Sequence, residues 1–503
     1  MRNLFQPVSY QKGAWWAVCS TTAWKACSFL NSILLALYFG TRPDTDLYFY
    51  LIMLIGMAVN FAQRVNAAVF IPEAMNAEKT APQSGMRLLN TVFCFYIFLG
   101  GLVAAAGLLF PTALARALTR FSPALLAGQT HLFSAVCLLF ACQLITSYLS
   151  GLLEMRKLFG SAWLAPANAL FPLACLLMGA KQWGIISMVY GFLAANVLQM
   201  GVFIYLLKTR CGWDFTPGRG LFHTRLKKNL LTSQLLELVG LANTLIPVYL
   251  ISGLAGGLVS ALNYAKQLAD APTEILTWRI TGVSKIQLSE DSARQDGEAL
   301  NVHFLRTNRF LFFLLMPLFV FTAFYALDIV RLFFERGNFT AQSAREAAAF
   351  LRPLLLVMVL LAPVMMQNNL FAAQRKLKEA LPYLLVSNLL FTGAVIAGIY
   401  YWGAFAYPYL QAACCLIGFA INKYLFAKHF AKIAYGRSLL DGVRILSLNV
   451  IALVPAAAAT KFCAFSAPFF TVFTGGIIFL AALWALTKYS GDWRVFLHTL
   501  AAR

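Results

Sequence analysis

Runs of about twenty apolar residues recur along the whole chain, broken by short polar turns, and each run is long enough to cross a membrane as a helix. In order they predict fourteen spans, at about 13–39, 46–70, 87–111, 123–150, 160–180, 184–207, 229–254, 256–285, 309–334, 342–373, 379–402, 403–427, 440–463 and 465–488. The longest connections, 208–228 and 286–308, are too short for a separate soluble domain. The pattern therefore predicts an all-α polytopic membrane protein. The first run, Gly13 to Phe39, is too long for a signal-peptide core and lacks an evident small-residue cleavage site.

A weak internal repeat accompanies the spans. NSILLALYFGTRPDTDLYF from Asn31 and NTLIPVYLISGLAGGLVSALNY from Asn243 both place an Asn mid-helix, then an apolar half-helix, a Gly-containing turn and an aromatic. Spans 1 and 7 enter from the same side, so the repeat is parallel, about an axis along the membrane normal. It predicts an N-terminal lobe over 1–207, a basic linker over 208–228, a C-terminal lobe over 229–430, and two further spans with a tail over 431–503. Each lobe has six helices.

Composition agrees with a membrane protein: 60% of the 503 residues are hydrophobic and 12% charged. The net charge of +21 comes from 40 Lys+Arg against 19 Asp+Glu. The basic residues gather in short loops between spans, which points to topology and anionic lipid and away from nucleic acid. With the N-terminus inside, the cytoplasmic segments hold 27 basic residues and the opposite side 8, so both termini are expected in the cytoplasm. The ten cysteines show no metal spacing, and most sit in apolar runs as small fillers. No P-loop, HExxH or GxSxG is present, so no catalytic set, metal site or cofactor is expected. Asn338-Phe339-Thr340 matches a glycosylation acceptor, but Thr340 as N-cap of the tenth span is the better reading.

Charges inside spans carry the candidate chemistry, because each costs about 2.5–3.5 kcal/mol at mid-bilayer. Span 8 holds Lys266, Asp270 and Glu274 at i, i+4 and i+8, hence on one face, with Pro272 among them inviting a kink. Such a ladder needs water, a partner or a ligand, although a structural Lys266–Asp270 pair would account for two of the three. Lys25 lies roughly 18 Å of helix from either end of span 1. With Thr21, Ser28 and Ser32 it forms a polar stripe suited to a wet cavity. Glu237 lies about 12 Å into span 7 and is a candidate counter-charge or coupling-ion ligand. Arg64, Arg279 and Arg352 are near span ends and can snorkel. The five basic and three acidic interior residues favour an anionic passenger. Lys25 and Glu274 are an expected pair, with a pyrophosphate competing for the lysine.

FGTRPDTDLYF, Phe39 to Phe49, and VFIPEAM after span 2 resemble the first outer loop and the span 2 exit of the MurJ/MviN (mouse virulence factor) family of lipid II flippases. ALNYAKQLADAP, Ala261 to Pro272, is similar to its YADRL segment, and LFFERGNFTAQSA to its loop before span 10. The resemblance implies fourteen spans, two six-helix lobes and a lipid-facing groove at spans 13 and 14. It also implies alternating access carrying a polyprenyl pyrophosphate-linked sugar headgroup through a cationic cavity. The family's outer-loop acid falls on Asp46 and its first span 1 arginine on Lys25. Two further basic positions fall on Asn31 and Ala58. The span 8 Asp-Arg falls on Lys266-Gln267 and the nearby Glu on Asp270, while Lys376 or Lys378 offers the basic residue after span 10.

The expected activity is a lipid-linked glycan flippase of the bacterial inner membrane, driven by the membrane potential or a monovalent ion. The partners expected are that glycan, anionic lipids and envelope-synthesis proteins, with no nucleic acid. The alternatives are a non-transporting scaffold of an envelope-synthesis complex and a multidrug or cation exporter of the same superfamily. The exporter needs acids to dominate the cavity. An enzyme of lipid-linked sugar metabolism is disfavoured because acid-rich Mg²⁺ motifs are missing.

Overall fold

The computed structural model describes residues 10–80, 83–218, 224–430, 432–463 and 467–489. Among them every regular element is helical. In lipid this follows from backbone chemistry, since a helix satisfies its N–H and C=O groups within one segment.

The chain forms two compact units, Met1–Ser260 and Ala261–Arg503. The first holds α1 Tyr10–Phe39, α2 Pro43–Val65, α3 Ile71–Thr80, α4 Ser84–Leu109, α5 Pro111–Leu118, α6 Pro123–Gly128, α7 Thr130–Met155, α8 Ala167–Trp183, α9 Ile186–Cys211 and α10 Thr224–Ile251. The boundary falls within α11, Leu258–Pro272. The second unit continues with α12 Trp278–Ala293, α13 Gly297–Phe324, α14 Ala326–Phe334, α15 Ala341–Ala373, α16 Leu377–Trp402, α17 Ala406–His429, α18 Tyr435–Cys463 and α19 Pro468–Tyr489.

Among the described residues eleven helices are long and apolar enough to cross a membrane. The other three expected spans are helical too. The first is α1. The seventh lies in α10, whose apolar stretch Leu238–Ile251 is shorter. The eighth is the charged and interrupted pair α11 and α12.

In the first unit α4, α7 and α9 pack together, with α2 against α7 and α1 against α8. Their core holds Leu89, Tyr148, Leu149, Leu153 and Leu207, all almost wholly buried. Lipid offers no hydrophobic drive for this association, so close packing carries it. Gly107 of α4 shows how close the backbones run, since a Cβ there would stand 2.4 Å from Cys137 Cβ on α7. In the second unit α13 packs on α15 and α18, and α18 on α19.

Three boundaries depart from the sequence reading. The fourth span begins at Thr130, because Pro123 and Gly128 close α6 as a separate turn. The connection expected over 286–308 is mostly helix: α12 runs to Ala293 and α13 starts at Gly297. Asp296 caps α13 by accepting from the amides of Glu298 (3.1 Å) and Ala299 (2.9 Å). The helix thus begins about a dozen residues before its apolar run. Past Phe324, α14 is a separate short helix rather than the end of the ninth span. Thr340 is the N-cap of α15, accepting from the Ser343 amide at 3.2 Å.

Spans 2 and 8 share an irregularity. A π turn, Asn66–Phe70, joins α2 to α3, and another, Thr273–Thr277, joins α11 to α12. Pro272 stands at the second, where the sequence led us to expect a kink. Such single π turns often mark functional positions in helices.

Candidate functional site

The most completely satisfied candidate is Asp46, in the first turn of α2. Pro43 opens that helix with its fixed φ, and Asp44 and Asp46 place negative charge at its N-terminus. The Asp46 carboxylate is buried, with 1% of its surface exposed. Its Oδ2 accepts from the Gly257 amide at 2.5 Å. Its Oδ1 accepts from the Ser260 amide at 2.7 Å and the Ser260 hydroxyl at 2.5 Å. These amides open α11, so an acid some 210 residues away in sequence serves as the cap of that helix. Gly257 is required there: its φ is +96°, and a Cβ would lie 2.8 Å from the Thr41 carbonyl oxygen.

Downstream on the same polypeptide stretch, half-buried Lys266 hydrogen-bonds the Tyr407 hydroxyl of α17 and lies within electrostatic reach of Asp270. Its ammonium stands 5.7 Å from the Tyr407 ring centroid. Lys266 thus has Tyr407 as a partner besides the expected Asp270. Glu274 sits half-buried inside the π turn and Asp270 is exposed.

In α1, Lys25 is half-buried and its ammonium lies 4.7 Å from the Trp24 ring centroid. The neighbouring polar residues hold α1 to the α8 region. The Ser20 hydroxyl donates to the Ala162 carbonyl, and Asn31 Nδ2 to the Ala169 carbonyl at 2.8 Å. Asn31 Oδ1 is buried with no hydrogen-bond partner. Arg64 and Arg352 both have exposed side chains. The Glu237 side chain lies outside the described residues.

The pattern of spans gave no sign of the loop after α9. Buried Asn90 donates to the carbonyls of Asp214 (2.7 Å) and Thr216 (2.9 Å) and accepts from the Trp213 indole at 2.7 Å. Arg156 lies over Trp213 at 5.4 Å and pairs with Glu78 at 2.6 Å. Asp214 accepts from the Thr216 hydroxyl (2.7 Å) and amide (3.3 Å), which lowers its carboxyl pKa below the usual value. An Asn inside an apolar helix was the one available signal, because buried amides need partners.

Comparison with known proteins places these features. Residues 35–480 match the family described as "Lipid II flippase MurJ". A probable lipid II flippase MurJ of Bdellovibrio bacteriovorus is 25% identical over 317 residues, spanning 58% of this chain and 58% of the relative's own length. Among solved structures, a lipid II flippase MurJ in an inward closed conformation superposes with a TM-score of 0.76 at 18% identity, covering 95% of this chain and 99% of that one. An inward-facing multidrug transporter of the MATE family gives 0.60 at 13% identity, over 80% of this chain and 94% of the other. A transporter from Pyrococcus furiosus of the same superfamily gives 0.58 at 12% identity, over 84% and 97%.

Proposed function

Because this chain belongs to the MurJ lipid II flippase family, we propose that it carries a polyprenyl pyrophosphate-linked sugar precursor across the bacterial inner membrane by alternating access. The match over residues 35–480 is the observation that supports this reading. The likeness to multidrug transporters concerns the fold, and the expected spans of this chain hold five basic and three acidic residues. An anionic pyrophosphate suits that balance, and Lys25 is the group we assign to its headgroup. A lysine ammonium pairs with a phosphate as a point charge, without the fixed geometry of a guanidinium. Both termini then lie in the cytoplasm, and the membrane potential or a monovalent ion supplies the drive.

Asp46 has a different role in this scheme. Its three bonds clasp the first outer turn to the start of α11, and the clasp opens once per transport cycle. The test of the function is complementation of a bacterial strain depleted of its lipid II flippase. Growth on expression of this chain supports lipid II as passenger. No growth from a well-expressed, membrane-inserted chain overturns it.

A further inference from the structure

A cavity of about 410 Å³ lies within the first unit, at the end of the bundle that carries the turns before α2, before α7 and before α9. That is the end which the charge asymmetry assigns to the outside. Small-molecule sites run from about 300 to 1,000 Å³, mostly apolar with a few fixed polar groups. Here Phe39, Leu132, Ile185 and Ile186 supply the apolar wall. The polar groups are Arg42, Asp44, Thr45, Gln129 and His131, and Trp183 supplies a large aromatic face.

Three observations show that this cavity is built. Thr45 lines it, is fully buried, and its Oγ1 has no hydrogen-bond partner. A buried hydroxyl in that state costs about 1–3 kcal/mol unless a ligand or water meets it. Next, Gln129 Nε2 donates to Asp44 Oδ1 at 3.1 Å, which fixes two planar polar groups at the rim. Finally, Trp183 is 53% exposed yet held in place. Its ring lies back across Gly179, where a Cβ would meet Trp183 Cε3 at 2.5 Å, and edge-on to Tyr190 at 5.9 Å. Gly184, at φ +62°, turns the chain directly after it. A large apolar ring packed on one side and left open on the other is a platform for a partner.

The chemistry of the lining selects that partner. Arg42 and Asp44 carry one formal charge of each sign, so a phosphate gains little net attraction. The polar groups instead offer donors and acceptors side by side, which suits the hydroxyl and amide groups of a sugar. The face of Trp183 suits the C–H face of a pyranose ring. We propose that this cavity is a subsite for one uncharged sugar ring of the transported headgroup on the outer side of the membrane. The assignment rests on the lipid-linked glycan reading for its biological role and on the charge asymmetry for its side.

Saturation-transfer NMR on the full chain in lipid nanodiscs, with methyl N-acetyl-β-glucosaminide as probe, tests it. The glycoside should bind saturably, and lipid-linked disaccharide should displace it while inorganic pyrophosphate should not. Trp183→Ala should weaken binding about tenfold, as expected for loss of an aromatic face, and Trp183→Phe should retain most of it. Asp44→Asn, which keeps the side-chain shape, provides a second reading if Trp183→Ala fails to fold, and should also weaken binding. No saturable binding, equal binding by wild type and all variants, displacement by pyrophosphate, or no displacement by lipid-linked disaccharide would each overturn the subsite. Transport in proteoliposomes is measured separately. A chain that binds the glycoside but moves no lipid-linked glycan refutes the function and leaves the cavity's sugar affinity intact.

Discussion

Replacing Asp46 by Asn keeps the size of the side chain and removes its charge. The amide must turn its oxygen toward either Ser260 or Gly257. Facing Ser260, it keeps the acceptor used by the Ser260 amide at 2.7 Å and hydroxyl at 2.5 Å. Its NH₂ then opposes the Gly257 N–H, where Oδ2 had accepted at 2.5 Å. One bond to a charged acceptor is lost, worth about 1.5–3 kcal/mol, and a buried donor is stranded. We expect about 2–4 kcal/mol against the clasp. Ser260→Ala removes a single hydroxyl bond to the carboxylate and should cost about 1.5–3 kcal/mol, while Asp46→Ala removes every one of these bonds and should cost most, about 3–5 kcal/mol. Hydrogen exchange of the segment around Gly257 to Ser260 reads this directly. Each 1.4 kcal/mol corresponds to about tenfold in the opening equilibrium, so Asp46→Asn should raise exchange by roughly 30- to 700-fold. Equal protection in wild type and all three variants would refute the clasp. So would Ser260→Ala exchanging faster than Asp46→Ala.

The remaining expectations can be checked independently. Cysteine probes at Arg42, Gly337 and Lys461 should label from outside sealed cells while those at Gly218 and Arg294 should not; labelling at Gly218 would refute the topology. Lys25→Ala should abolish transport at normal expression and Lys25→Arg should keep part of it, so full transport by Lys25→Ala would remove this lysine from the headgroup site. The Asp214 pKa is lowered by the Thr216 hydroxyl and amide, so its contribution to the docked loop is present above its ordinary value of 3.8 and lost as pH falls through the folded value. Exchange protection of 213–218, corrected for intrinsic rates, should fall below that range in wild type and stay flat with pH in Asp214→Asn.

Much of this arrangement is legible in the chain because it depends on local periodicity. Twenty-residue apolar runs, the Thr340 cap and the break at Pro272 each need only a few neighbouring residues. Asp46 is marked only by the resemblance of its loop to the family's first outer loop, and its partners at Gly257 and Ser260 are not marked at all, since nothing local encodes a cap from that distance. The same holds for Asn90 and the 213–216 loop, and for Tyr407 beside Lys266. The start of α13 escaped because its first turns are polar, so apolar periodicity is silent where the Asp296 cap speaks. Trp183 escaped because a tryptophan at the end of a span is ordinary, and only the ring's seat over Gly179 sets it apart.

The π turn in span 8 acts as a one-residue spacer in an otherwise regular spiral. Above it, Lys266 must face Tyr407. Below it, the Thr281 carbonyl must reach Asn369 at 2.9 Å, and Ser284 must reach Thr307 at 3.1 Å. A continuous α-helix advances about 100° per residue, so deleting any one residue of Thr273–Thr277 would swing one set of partners out of reach while leaving the other in place. The extra residue lets a single rod keep two incompatible phases. Sliding the wide turn along the rod by one position would hand each residue it passes from one phase to the other, turning a side chain by a quarter circle or so with every helical hydrogen bond but one retained.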